Sequence, residues 1–144
     1  MATIDTETIV EIAEMQGKAF KEAKIKTNQI RNFYAEVNTM KLKFQEFMRN
    51  KKKEKLNGQG AGATSNLKTL EDLNRKLILL KPKLAYAGGR QIEVKQVYTF
   101  FKHVIDGVSE ASKDKDEDTW IKALENFFDL TESVVAYHKY HGDK

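Results

Sequence analysis

His138 and His141 stand three residues apart near the end of the chain, a spacing that puts both on one helix face. A metal site needs at least one more well-placed ligand. The chain has no cysteine and nothing marks a further ligand, so no metal is expected there. Glu125, Asp129 and Glu132 also recur at helical spacing, but acid/base catalysis would need a basic or metal-bound partner beside them. A solvated or interface face is the expected reading. Some small helical ribonucleases pair an arginine with a histidine after a gap of four residues. Arg31, Arg49, Arg75 and Arg90 all lack a histidine five positions on. There is no phosphate-binding glycine loop, nucleophile elbow or metalloprotease helix signature. No catalytic residue and no cofactor is expected, and the chain reads as a protein that binds rather than reacts.

Three clusters suit binding. Lys26, Asn28, Gln29 and Arg31, with Lys24 and Asn32, sit where a helix begins, and helix N-terminal amides with amide side chains suit phosphate and sugar contacts. Lys81, Lys83, Tyr86 and Arg90 form a second group, and His138, Lys139, Tyr140 and His141 a third. Rings beside cations are a common way to hold RNA, the rings stacking and the cations gripping the backbone. Net charge is only +4, but it is uneven. From Lys18 to Lys55 twelve Lys/Arg face four acids, a net of +8; from Asp106 to Glu132 nine acids face three lysines, a net of −6. That asymmetry suggests a basic surface for a polyanion and an acidic one for protein or solvent. A plain solvated helix face is the competing explanation for the basic run.

The elements that must position these groups are helices. With 144 residues, 40% hydrophobic and 32% charged, the chain fits one soluble globular domain, 1–144. Strand signals are poor, and apolar residues recur at helical spacing. A first helix is expected from about Thr6 to Ala23, with Ile9, Ile12, Ala13, Gln16, Ala19, Phe20 and Ala23 on one face. A second begins with Thr27 as its N-cap, carries Ile30, Phe33, Tyr34, Val37, Met40, Phe44, Phe47 and Met48 as a regular stripe, and frays into Lys51–Lys55. Residues 57–66, rich in glycine and small polar side chains, read as a flexible loop between two helical hairpins. The third helix, about Leu67 to Ala87, is expected to kink or break at Pro82 and to end on left-handed Gly88 or Gly89. The fourth runs from about Ile92 to Ala111. The fifth runs from about Asp116 to Tyr140, with two adjacent apolar stripes that suit a central position. The expected fold is all-α, a five-helix bundle, with Phe33, Val37, Leu77, Leu84, Phe101, Phe127 and Val134 buried. No apolar stretch reaches the roughly 18 residues of a membrane span. No secretory signal is visible, and a cytoplasmic location is expected.

Three stretches together carry a family likeness: Lys26-Thr27-Asn28-Gln29-Ile30-Arg31-Asn32-Phe33-Tyr34, Leu80-Lys81-Pro82-Lys83-Leu84-Ala85-Tyr86-Ala87-Gly88-Gly89-Arg90, and Val134-Val135-Ala136-Tyr137-His138-Lys139-Tyr140-His141-Gly142. In order and approximate spacing the chain resembles the small subunit of the type III-A CRISPR effector complex, the Csm complex, over about residues 26–142. Gly88-Gly89-Arg90 departs from the family's usual Ala-Gly-Arg, and Ser133 stands where the family often has alanine. The resemblance implies a subunit that does no chemistry. It stacks with its neighbours along the guide–target RNA and holds the duplex through its backbone, while base pairing supplies specificity. The partners so implied are guide RNA, target RNA and the other subunits, with self-association possible and no membrane. The RNA contacts it implies are Lys26, Asn28, Gln29, Arg31, Lys81, Lys83, Tyr86, Arg90, His138 and Lys139. The alternative is a helical adaptor that binds only protein.

Overall fold

Asp5 opens the first helix: its backbone is extended and its carboxylate accepts the Thr8 N–H at 2.8 Å. That bond satisfies one of the amide donors a helix start leaves unpaired. In this computed structural model, which describes residues 5–56, 63–113 and 116–142, helix α1 spans Thr6–Glu22 and buries Ile9, Ala13, Gly17 and Phe20. It ends in a tight motif. Lys24 takes the left-handed conformation, φ 65°, the Lys24 N–H donates to Lys21 O at 2.9 Å, and the Ile25 N–H donates to Phe20 O at 3.1 Å. This is the Schellman arrangement, closed by burial of both Phe20 and Ile25.

Helix α2 spans Thr27–Leu56, α3 Ala63–Arg90, α4 Lys95–Ser112 and α5 Glu117–Gly142, with a short 3₁₀ turn at Ile92–Val94. Among the described residues there is no strand. Lys26, one residue before the expected Thr27, is the N-cap of α2: its carbonyl accepts from Gln29 and Ile30, and its own N–H donates back to Gln29 Oε1 at 2.8 Å. Asp116 starts α5 by accepting the Asp118 N–H at 3.1 Å and the Thr119 hydroxyl at 2.9 Å.

Helix α5 is central, as its double stripe suggests, packing against α1, α2 and α4, while α3 lies against α4 and α2. The seven residues expected in the core are all buried. An aromatic cluster ties the helices near the start of α2: Phe33 and Phe101 centroids lie 4.6 Å apart, Phe100 and Phe101 4.9 Å, and Phe20 and Phe100 5.9 Å. Gly17 sets how closely α1 and α5 approach. A Cβ there would lie 2.7 Å from both the Tyr137 Cβ and the His138 backbone nitrogen.

The third helix departs from expectation. It runs unbroken through Pro82, which is exposed together with Ile78, so that solvent can reach the carbonyl the proline leaves unpaired. Burial of Leu77, Leu80 and Leu84 on the other side holds the helix together. Neither Gly88 nor Gly89 is left-handed; both are helical. Gly88 lies close against α4 instead, where a Cβ would come 3.3 Å from Lys95 Cα, a tight contact. Of the loop expected over 57–66, residues 63–66 are helical and residues 57–62 lie outside those described. The lysine run does not fray: α2 continues to Leu56, and Lys51 donates to Glu117 of α5 at 2.8 Å.

Two substitutions test this packing by thermal melting. Gly17→Ala forces α1 away from α5 and should destabilise by roughly 1–3 kcal/mol. Lys24→Gly relieves the left-handed penalty and should stabilise by about 1 kcal/mol.

Candidate nucleic-acid interface

The start of α2 carries two sets of side chains at helical spacing, and each meets a different helix end. Asn28, Gln29, Asn32 and Glu36 line a cavity of about 250 Å³ with Lys83, Leu84 and Ala87 of α3, and with Gln91 and Val94 beyond it. Thr27, Arg31 and Tyr34, turned about a third of the way round, line a smaller cavity of about 200 Å³ with His138 and Lys139 of α5. The first turns of α2 are thus a hub, and the three stretches of the family likeness converge on it.

Within that hub the expected contact residues differ in availability. Lys26, Asn28, Arg31, Lys83, Tyr86, Arg90 and Lys139 are exposed. Among the described residues, Lys26, Arg31, Arg90 and Lys139 make no ion pair. Glu132, a conceivable partner for either arginine, pairs with Lys41 at 2.6 Å instead. Arg90 lies over the ring of Tyr86, 5.8 Å from its centroid, and Tyr86 is 68% exposed. Lys83 pairs with Glu36 across the mouth of the larger cavity at 3.0 Å, in a pair open enough to solvent that water competes with it.

Three expected residues serve the fold. Gln29 has both ends of its amide engaged, Oε1 accepting from the Lys26 N–H and Nε2 donating to Glu93 Oε1 at 3.0 Å. The Gln29 amide holds the Glu93 carboxyl below its ordinary range, helped by Glu93's own backbone N–H and by the charge of Lys26. His138 is corrected from surface contact to core: it is 2% exposed and its Nε2 lies 2.7 Å from Ile25 O. A carbonyl only accepts, so Nε2 carries the proton. Lys81 is half-buried and turned to α4, donating to Asp106 at 2.6 Å, because two residues along a helix is more than half a turn from Lys83.

The expected division into a basic and an acidic face also needs correction. The basic α2 and acidic α5 lie side by side and neutralise each other in part through Lys41–Glu132 and Lys51–Glu117. Sequence reasoning passed over Gln91 and Glu36 as site residues. No periodicity marks them; only their place in the cavity does. His138 and His141 gain no third ligand, and among the described residues no cluster of three metal-ligating side chains exists.

The family described as Csm2 Type III-A matches residues 3–144. The chain belongs to that family. No curated protein and no solved structure matches it. As a Csm2 chain it is the small subunit of a type III-A CRISPR effector and works in a complex with other subunits. None of this Csm2 chain's helices, among the described residues, is long and apolar enough to cross a membrane.

The Lys81–Asp106 pair predicts a pH response for the Csm2 bundle. Its hydrogen bond from Lys81 holds the Asp106 carboxyl below the usual carboxylate range. The folded state therefore binds this proton less readily than the unfolded chain. The stability it contributes is complete above the unfolded value and is lost as pH falls through the folded one. Asp106→Asn should melt below wild type at pH 7, and the gap should narrow as pH falls through the carboxylate range. A gap independent of pH would mean that the pair contributes nothing through charge.

Proposed function

We propose that this subunit is a non-catalytic RNA-binding member of its effector complex, stacking along the guide–target RNA and gripping it through the backbone. The observation that carries the reading is the convergence at the start of α2. Arg31 and Lys139 line one cavity of the hub, Lys26 is the N-cap of α2 with Glu93 in reach of its charge, and Arg90 stands beside Ala87 and Gln91 at the end of α3. All four are exposed and none makes an ion pair among the described residues. Core packing gives no reason to keep four unpaired cations there, whereas a phosphate backbone does. Lys83 joins them by exchanging Glu36 for phosphate. Tyr86 with Arg90 offers a ring and a guanidinium plane to bases. The cytoplasm is the compartment in which such a complex would meet its RNA.

The test is made in the assembled complex. Arg31→Ala and Lys83→Ala should weaken RNA binding while leaving helicity and melting unchanged. Each should lower the slope of log affinity against log salt by about 0.7 on single strands. Lys122→Ala, on the exposed side of α5 away from the hub, should change neither. Wild-type affinity and salt slope in the hub variants would favour an adaptor that touches only protein. The isolated chain, with or without divalent metal, should leave RNA uncut on a denaturing gel.

A further inference from the structure

The amide-lined cavity at the hub, between α2, α3 and the 3₁₀ turn, has a chemistry that phosphate binding does not explain. Four of its lining side chains are amides, Asn28, Gln29, Asn32 and Gln91, and its apolar wall includes the buried Phe33, Leu84, Val94 and Val97. Lys83 is the single cation among its lining residues, and it is already paired with Glu36. A phosphate would find little charge inside. A flat heterocycle would find apolar surface for its face and, around it, side chains that each carry both a donor and an acceptor.

Gln29 is held rigid by Lys26 and Glu93 and forms a fixed wall. Asn28, Asn32 and Gln91 make no side-chain hydrogen bond among the described residues; Gln91 stands in the cap position of the 3₁₀ turn yet caps nothing with its amide. Their polar groups are available to a guest. The volume, about 250 Å³, falls just below the roughly 300–1,000 Å³ of ordinary ligand sites and suits one ring system rather than two. A second cavity, of about 480 Å³, shares Ala87 and Gln91 with the first and is bordered by Tyr86 and Arg90. A guest in the amide cavity therefore has an exposed aromatic ring next door for whatever is joined to it.

We infer that the cavity between α2, α3 and the 3₁₀ turn receives the base of one unpaired RNA nucleotide. Amides match the donor–acceptor edge of a base, Glu36 can accept from an exocyclic amine, and Lys83 at the rim meets the adjoining phosphate. The neighbouring base stacks on Tyr86. This deepens the RNA-binding reading and rests on it: the hub grips the backbone and also takes in a base.

The experiment titrates the full chain with a short single-stranded RNA and with the same strand made abasic throughout, at RNA concentrations up to millimolar so that weak binding is read. Side-chain amide NMR signals report on the cavity. The base-bearing strand should bind about tenfold or more tightly than the abasic one, and should shift the amide signals of Asn28, Asn32 and Gln91. Asn32→Ala with Gln91→Ala, both at exposed positions, should erase most of that difference and leave abasic binding unchanged. Equal binding of the two strands to wild type, with silent cavity amides, overturns the inference and leaves the RNA reading standing. Binding of neither strand overturns both. Amide signals that shift on mixing with the other subunits before RNA is added would assign the cavity to a protein side chain, and that too overturns it.

Discussion

A single buried hydrogen bond decides where α2 begins. His138 Nε2 donates to the Ile25 carbonyl at 2.7 Å, joining α5 to the four-residue link between α1 and α2. Lys24, just before it, is already constrained to a left-handed conformation, and Lys26, just after it, caps α2. Between them these contacts leave the chain one direction in which to start α2. Every candidate contact residue lies on that start or on a helix end packed against it. The binding surface is therefore a property of the α1–α2 turn as much as of the cations on it.

Electrostatics within the bundle follow a different logic from the one suggested by charge along the sequence. The basic and acidic runs are separated by many residues but lie on adjacent helices, and Lys41 and Lys51 spend their charge on Glu132 and Glu117. Exposed pairs of this kind contribute little to stability. Their larger effect is to neutralise two of the cations of α2, one near its middle and one near its end. Among the described residues, exposed cations without an ion pair remain at the far end of α2 as well, including Arg49, Lys52 and Lys53. The group at its start is therefore set apart by the helix ends of α3 and α5 beside it rather than by charge alone.

The helices and core were legible from periodicity, because burial recurs every three to four residues and the apolar residues of this chain follow it. Phe33, Val37 and Phe127 needed no more than that. Local breaking signals were less reliable. Pro82 and the Gly88-Gly89 pair sit inside α3 because tertiary burial of leucines outweighs a local preference. The site was legible only in part. Residue type pointed to Lys26, Arg31 and Lys83, but a histidine, a glutamine and a lysine of the same clusters, His138, Gln29 and Lys81, turned out to be bonded within the fold. Nothing in a linear sequence says which polar groups already have partners, nor that Gln91 and Glu36 share a cavity with Asn32.

The missing side chain at Gly17 has a consequence for how the protein is made. Its contact joins residue 17 to residues 137 and 138, so α1 rests on a helix that is synthesised well after it. Until α5 emerges, Ile9 and Ala13 lack the helix that α1 chiefly packs against, and Phe20 rests on the phenylalanines of α4. Such distant pairings are slow to close and leave apolar surface exposed in the meantime. The nascent chain therefore carries much of the apolar face of α1 uncovered until α5 has been made.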